Sequence, residues 1–258
     1  MGADSVRADG ANDGFWDLYS RYYDAIYQLM PYRKLLWDVY QALDLQPGMH
    51  VLDAGCGTGN FEAFIAEKDP PAVRVEALDF SPRMLQVARA KCDRLGAYTF
   101  EQADLNRPLP YADGTFDRIL SINVLYALDD ADATMSELLR VLKPDGRMVL
   151  TSPKPEFRAR PLLADHFRRV RNIWGLGRRI RTVAKSVLVL STTGAAGLLL
   201  NSFVINGREA EGRYRSLDHD GFQALLERCR TLGLGDFDIG PALVDQNLFA
   251  TAIKAVAA

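Results

Sequence analysis

The sequence predicts an α/β fold, a doubly wound parallel sheet that ends in an antiparallel strand. Five short apolar runs alternate with amphipathic helical segments between residues 47 and 152, as parallel strands with crossover helices require. The glycine-rich stretch VLDAGCGTGNF begins inside the first run. Two more apolar runs close the chain, and only Asp245 and Gln246 separate them, which predicts an antiparallel hairpin.

Seven strands and six helices are expected from these patterns. Pro31 separates the first two helices, and Ser216 is the expected N-cap of the last. The predicted strands are 49–53, 73–79, 98–102, 116–123, 147–152, 237–244 and 247–253. The predicted helices are 15–30, 33–43, 60–68, 81–95, 132–142 and 218–232.

The chain of 258 residues suits one such domain with additions. We expect a disordered tail over 1–14, an N-terminal helical lid over 15–46, and a core formed by 47–152 together with 215–258. Residues 153–214 do not fit the alternation and are interpreted as an inserted cap. The polar, acidic N-terminus does not resemble a signal or transit peptide, which favours a cytoplasmic protein.

Charge is distributed unevenly along the chain. The formal net charge is −2, yet residues 158–185 hold eight arginines and one lysine against the single acid Asp165. An anionic partner is therefore expected near this window. The three cysteines are far apart in sequence, which predicts neither a disulfide framework nor a zinc site. No metal is expected.

The glycine stretch predicts a nucleotide-like ligand, because a strand, a glycine loop and a helix start bring free backbone N–H groups together. A phosphate-binding P-loop would need GxxxxGK[ST], which is absent. The dinucleotide fingerprint GxGxxG would need a glycine at position 60 or 62, where the chain has Asn60 and Glu62. The motif present is DxGxGxG, from Asp53 to Gly59.

The stretch DAGCGTG resembles the first motif of the class I S-adenosylmethionine-dependent methyltransferases, and the similarity extends over about 47–152. The resemblance implies a Rossmann-like sheet of seven strands with the last antiparallel, and S-adenosylmethionine as cofactor. In ALDFSPRML, Asp79 would accept hydrogen bonds from the ribose hydroxyls. In EQADLNRPLP, Asp104 would bind the adenine amino group. The implied cofactor-binding residues are Asp53, Gly55, Cys56, Gly57, Gly59, Asp79, Phe80, Met84, Asp104, Leu105, Ile122 and Asn123.

Within that family the sequence is similar to the small-molecule and lipid branch. The [ND]PP[YFW] motif of the amino-methylating DNA enzymes and the Pro-Cys of the cytosine-C5 enzymes are both absent, so no nucleic acid partner is expected. Quinone-methylating members have an Arg-Asn pair near the end of the fourth strand, where this chain has Ile122-Asn123. A general base is needed only if the acceptor atom starts protonated.

Three side chains are candidates for catalytic roles, each with a structural alternative. Tyr23 belongs to the tyrosine-rich segment YSRYYDAIY, which could reach the cofactor or acceptor or could pack as an ordinary amphipathic helix. Tyr126 could orient the acceptor or belong to the core. His166 lies in the insertion and could act as a base if the acceptor is a hydroxyl.

The insertion is the expected acceptor site. It contains RRVRNIWGLGRRIR and then 20 residues without a charge, 186–205. That length could span a membrane, but the chain must return to complete the same sheet, which opposes a single crossing. We expect instead cap helices broken near 193–197, or a segment against an anionic membrane surface along 158–205. The acceptor is expected to be a lipophilic small molecule or lipid. A water-soluble metabolite and a non-catalytic cofactor-binding or membrane-peripheral scaffold are the alternatives.

Overall fold

The structure is a computed structural model that describes residues 20, 23–24, 26–68, 70–92, 98–155, 157–189 and 214–256. The expected tail over 1–14 and the predicted helix break near 193–197 lie outside the described residues. Part of the N-terminal segment is described, and Tyr23, Asp24, Ile26 and Tyr27 are helical.

A seven-stranded sheet organises the described part of the chain, with the strand order β3-β2-β1-β4-β5-β7-β6. Strands β1 to β5 pair in parallel, while β7 is antiparallel to both β5 and β6. The predicted antiparallel last strand is therefore confirmed. The strands are β1 His50–Ala54, β2 Arg74–Asp79, β3 Tyr98–Gln102, β4 Phe116–Ile122, β5 Leu142–Pro153, β6 Leu234–Ala242 and β7 Asn247–Lys254.

Besides the N-terminal segment, seven α-helices whose bounds the structure describes surround the sheet. They are α1 Met30–Leu43, α2 Asn60–Ala66, α3 Pro82–Cys92, α4 Ala131–Val141, α5 Ala159–Arg171, α6 Leu176–Val189 and α7 His219–Cys229. Short 3-10 helices cover Leu125–Ala127 and Arg230–Leu232. Pro31 lies in the first turn of α1, where a proline lacks no intrahelical hydrogen bond.

The core has two halves, one on each face of the sheet. Val51 of β1 packs in the cluster formed with α1 and α2, whereas the next residue, Leu52, packs in the cluster formed with α4 and α7. Every residue of β1 is buried, as expected for a central parallel strand covered on both faces. Because β1 pairs in parallel with β2 and with β4, the carboxyl ends of these strands meet at one edge of the sheet. The candidate site lies at that edge.

Some sequence-based boundaries were wrong. The N-cap of α7 is Asp218, whose carboxylate accepts a hydrogen bond from the Gly221 N–H, and not Ser216. Strand β5 begins five residues before the predicted position, because Leu142 already pairs with Phe116. The turn KPDG follows that pair, and Asp145 adopts the left-handed conformation there.

The described part of the insertion is helical. Helices α5 and α6 are separated by residues 172–175, which include Gly175 with φ +94°. Helix α5 packs against α1, so the insertion runs from the end of β5 to the N-terminal helical segment. Across the described stretches, no helix has both the length and the apolar character needed to cross a bilayer.

Candidate active site

The glycine loop follows β1 and is tied to β2. The Leu78 carbonyl accepts two hydrogen bonds of 2.8 Å, one from the Gly55 N–H and one from the Cys56 N–H. Gly55, Gly57 and Gly59 all have positive φ, between 55° and 98°, which L side chains rarely adopt. The loop therefore turns sharply from the sheet edge into α2.

Space as well as conformation requires glycine at position 55. A Cβ added there would lie 2.3 Å from Val124 Cγ2. A Cβ added at Gly57 would instead lie 3.6 Å from Tyr23 Cε1, which is an ordinary van der Waals contact. Gly57 is therefore less crowded than Gly55, and the Tyr23 ring lies beside it.

Asp79 joins β2 to the glycine loop. One carboxylate oxygen accepts from the Gly57 N–H at 2.8 Å, and the other accepts from the Ser81 N–H at 2.9 Å. Burial raises the pKa of Asp79, and these two backbone hydrogen bonds oppose that rise by stabilising the ionised form. Each oxygen keeps a second lone pair, so this carboxylate can still accept hydrogen bonds from a pair of hydroxyls.

Asp53 lies beneath the loop and is 2% exposed. No described donor reaches its Oδ1 atom. An orphaned buried carboxylate oxygen costs free energy unless a cation or a donor approaches it. The acid therefore fits a ligand that brings positive charge to the glycine loop.

The side chains predicted to pack around the adenosine are apolar, as the resemblance implies. Met84 and Leu105 are buried, and Phe80 is half-buried at the end of β2. The side chain of Asp104 is 27% exposed and is used within its own loop, where Oδ1 accepts from the Asn106 N–H at 3.0 Å. Its role toward an adenine amino group stays a prediction.

The end of β4 forms the next part of the edge. Ile122 is buried and Asn123 has φ 58°. The Asn123 side-chain oxygen accepts from the Thr151 hydroxyl at 3.0 Å and from the Asn247 amide. These contacts lock the turn after β4 to β5 and β7.

The thiol of Cys56 is buried beside the loop carbonyl of Gly57, at 3.7 Å. Burial, followed by the charge of Glu62, raises the pKa of this thiol well above its ordinary value. Because only a thiolate is a strong nucleophile, Cys56 is not suited to nucleophilic attack, and its contact with the cofactor stays a prediction.

Tyr23 and Tyr126, two of the catalytic candidates, are at the site edge. The Tyr23 hydroxyl lies 3.4 Å from the Tyr32 hydroxyl. Burial and Tyr32 raise the Tyr23 pKa well above its ordinary value, so its hydroxyl is suited to hydrogen bonding and not to accepting a proton as phenolate. Tyr126 is buried in the 3-10 turn after β4 and meets Tyr214 edge to face, with ring centroids 5.2 Å apart.

His166, the third candidate, lies on α5 and is 1% exposed. Its Nδ1 accepts a hydrogen bond from the Met30 N–H at 3.1 Å, which joins the insertion to the start of α1. Burial lowers the His166 pKa, and neighbouring Asp165 opposes that change. Burial therefore favours the neutral imidazole, which has a clear structural contact, while the role of His166 as a base stays a prediction.

Two groups at the glycine loop were not identified from the sequence. Glu62 lies on the first turn of α2, is fully buried, and shares the space under the loop with Asp53. Asp24 accepts from the Thr58 hydroxyl at 2.6 Å and from the Lys91 ammonium at 2.8 Å, which fastens the N-terminal segment to the loop. Helical periodicity alone does not say that Glu62 faces inward, and the Asp24 contacts join segments far apart in sequence.

Comparisons with known proteins agree with this geometry. A family model described as a methyltransferase domain matches residues 45–185. The methyltransferase GfsG of Streptomyces halstedii is 38% identical over 115 residues, which cover 43% of this chain and 40% of that protein. A demethylmenaquinone methyltransferase of Geobacillus stearothermophilus is 32% identical over 162 residues, which cover 60% of this chain and 69% of that protein.

The fold also has a match among solved structures. A crystal structure of an S-adenosylmethionine-dependent methyltransferase from Aquifex aeolicus superposes with a TM-score of 0.52 at 17% identity, covering 90% of this chain and 93% of that one. The alignment with GfsG spans less than half of that relative's length. From the family match and the glycine loop with its acids, the chain belongs to the class I S-adenosylmethionine-dependent methyltransferases, and S-adenosylmethionine is its cofactor.

Proposed function

We propose that this chain transfers a methyl group from S-adenosylmethionine to a lipophilic small molecule or lipid. The cofactor supplies a methyl group already activated on a sulfonium. The chain's own residues therefore need to align the acceptor and exclude water, which are the main requirements of an in-line displacement.

The placement of the insertion carries this proposal. The chain leaves the sheet at Pro153, the last residue of β5, two residues after Thr151, whose hydroxyl donates to Asn123. It returns at Tyr214, which packs on Tyr126, and the Arg215 N–H then donates to the Tyr126 carbonyl at 2.8 Å. Both ends of the insertion thus lie at the turn after β4, so an acceptor entering beside the methionine end of the cofactor would meet the insertion.

The surface of α6 supports a lipophilic acceptor. Among the described side chains of α6, four large apolar ones are exposed at spacings of four, three and four residues, which places them on one helical face. They are Leu176 at 72%, Ile180 at 58%, Val183 at 36% and Val187 at 53%. Trp174 precedes the helix and is 93% exposed.

Charge indicates where such a surface would bind. Arg179 and Arg181 are exposed on the same helix, which contains no acidic residue. Asp165, the one acid of the basic window, is already paired with Arg168 and Arg169. An amphipathic helix with arginines and a tryptophan suits an anionic bilayer surface, and we propose that α6 lies on one while the site takes its acceptor.

A radiolabelled methyl-donor assay tests the acceptor class. Purified protein is incubated with labelled S-adenosylmethionine and either a lipid extract, which includes quinones, or a pool of water-soluble metabolites. We expect label in the organic phase. The name of the Geobacillus relative makes a demethylated quinone the first defined acceptor to add. Label confined to the aqueous products would contradict the lipophilic proposal and favour a soluble metabolite.

Vesicle flotation tests the surface. We expect the protein to float with vesicles containing an anionic phospholipid and not with purely zwitterionic ones. Ile180→Asp should abolish flotation, whereas Leu232→Asp, at a leucine that is 47% exposed away from α6, should leave it unchanged. Equal recovery of wild type with both vesicle types would contradict the membrane proposal.

A further inference from the structure

Two carboxyl groups are buried together under the glycine loop. Asp53 is the fourth residue of β1 and Glu62 is the third residue of α2, so they flank the loop on both sides. Asp53 is 2% exposed and Glu62 is fully buried. Acids are almost never fully buried without a partner that compensates their charge, so this pair needs an explanation.

The hydrogen bonds around the pair are incomplete. No described donor reaches either carboxylate oxygen of Glu62, and none reaches the Oδ1 atom of Asp53. Burial raises the pKa of both groups, and the charge of Glu62 raises that of Asp53 further. The contact with Asp53 opposes the rise in the pKa of Glu62, so the two carboxyl groups affect each other's titration.

The surroundings of the pair are mostly acidic or neutral. Lys91 is the cation that faces Glu62, and its ammonium already contacts Asp24, Thr58 and Asn60. The other titratable groups that interact with the pair, among the residues that the structure describes, add no positive charge. They are Asp79 on β2, Cys56 in the loop, Cys92 on α3 and Tyr98 on β3.

We propose that Asp53 and Glu62 form a charge-compensating pair that shares one proton in the free protein and releases it to solvent when the cationic cofactor binds. Glu62 is then a positioning residue that favours the methyl donor over its demethylated product. This inference rests on the cofactor assignment. The donor carries a sulfonium that the product lacks, so only the donor brings a net positive charge next to the loop.

The proton balance is simple. The free pair has a charge of about −1, with one proton shared between the two carboxyl groups. Binding of a cation favours the doubly ionised pair, and the proton leaves to water without any bond to the cofactor being formed or broken. Linkage then requires that affinity for the donor rises with pH, because the unbound form carries the extra proton.

Isothermal titration calorimetry of the full chain tests this proposal. Titrations with S-adenosylmethionine and with S-adenosylhomocysteine are run in buffers of different ionisation enthalpy, at several pH values around neutrality. We expect release of up to about one proton with the donor and less with the product. Donor affinity should increase by up to about tenfold per pH unit in the range where the pair titrates.

Two variants and one control separate this role from simple packing. In Glu62→Gln, the amide can donate to Asp53, so Asp53 stays ionised and proton release on donor binding should fall close to zero. Asp53→Asn should do the same with the partners reversed, which keeps the test open if one variant folds poorly. Glu67→Gln changes an exposed acid just after the same helix and should leave proton release unchanged.

The outcomes are distinguishable. Proton release by wild type that persists in both variants, or no release by wild type despite normal binding, would overturn the proposed pair. An absence of binding heat with wild type for both ligands would instead overturn the cofactor assignment beneath it. Circular dichroism of each variant, without ligand, verifies that the fold is retained.

Discussion

The carboxylate of Asp79 accepts a hydrogen bond from the backbone N–H of Gly57 at 2.8 Å, across 22 positions of sequence. The contact joins the end of β2 to the centre of the glycine loop. The residue predicted to hold the ribose therefore also shapes the loop that is predicted to hold the methionine end. A change at either residue should affect both ends of the cofactor.

Asp79→Ala should weaken S-adenosylmethionine binding by roughly tenfold to a hundredfold, because it leaves the Gly57 and Ser81 N–H groups without their charged acceptor. Calorimetry measures the dissociation constant. Glu101→Gln is the matched control, since Glu101 is an exposed acid near the same sheet edge. An unchanged affinity in Asp79→Ala would contradict the assigned role.

Gly55→Ala should destabilise the protein even without cofactor. The alanine must adopt φ near +98° and its Cβ would meet Val124 Cγ2 at 2.3 Å. Strain and overpacking together should cost about 3 kcal/mol, which lowers Tm by roughly 6–12 °C. Differential scanning fluorimetry gives the shift.

Gly233→Ala separates backbone strain from overpacking, the two causes of the stability loss expected in Gly55→Ala. Gly233 has φ +92°, and no heavy atom within 4 Å would meet its added Cβ. This variant should lose only about 1 kcal/mol, from backbone strain alone. If both variants lose the same stability, the contact with Val124 is not what requires glycine at position 55.

Asn123→Ala should cost about 2–3 kcal/mol of stability, because the Thr151 hydroxyl and the Asn247 amide lose an acceptor in a buried place. Asn123→Gly loses the same hydrogen bonds but relaxes the backbone at φ 58°. Urea denaturation should therefore rank wild type above Asn123→Gly and Asn123→Gly above Asn123→Ala. The reverse order of the two variants would show that the turn is not strained.

The strand–helix alternation and the glycine loop were predictable because their patterns are local. Strand β3 was predicted at its observed bounds, and the hairpin of β6 and β7 followed from two apolar runs separated by a short turn. The N-cap of α7 was wrong because Ser216 and Asp218 are both good capping residues, and only the backbone at the helix start decides between them.

Contacts between distant residues were not predictable from one sequence. Asn123 and Asn247 are 124 positions apart, and nothing local marks them as partners. Glu62 falls in a predicted helix, yet an acid in the first turn usually stabilises the helix from its solvent side. Its burial follows from the packing of α2 on β1 beside Asp53, which is a tertiary property.

His166 gives a prediction about acid stability. Its pKa is lowered from the usual 6.5 by burial, so the unfolded chain binds a proton at a higher pH than the folded one. The stability contributed by the neutral imidazole is therefore fully present above about pH 6.5 and is lost as the pH falls through the folded pKa. The Tm of the wild type should therefore drop as the pH falls below about 6.5.

His166→Asn should reduce the acid dependence of Tm, because the Asn oxygen can replace Nδ1 as the acceptor for the Met30 N–H but does not titrate. His219→Asn is the control, since the His219 side chain is 54% exposed and this change should leave the wild-type acid dependence intact. Thermal melts at a series of pH values measure both. A methyl-transfer assay on the same proteins then tests whether His166 acts as a general base. Turnover retained in His166→Asn would contradict that role. Lost turnover with a normal Tm at neutral pH would support it.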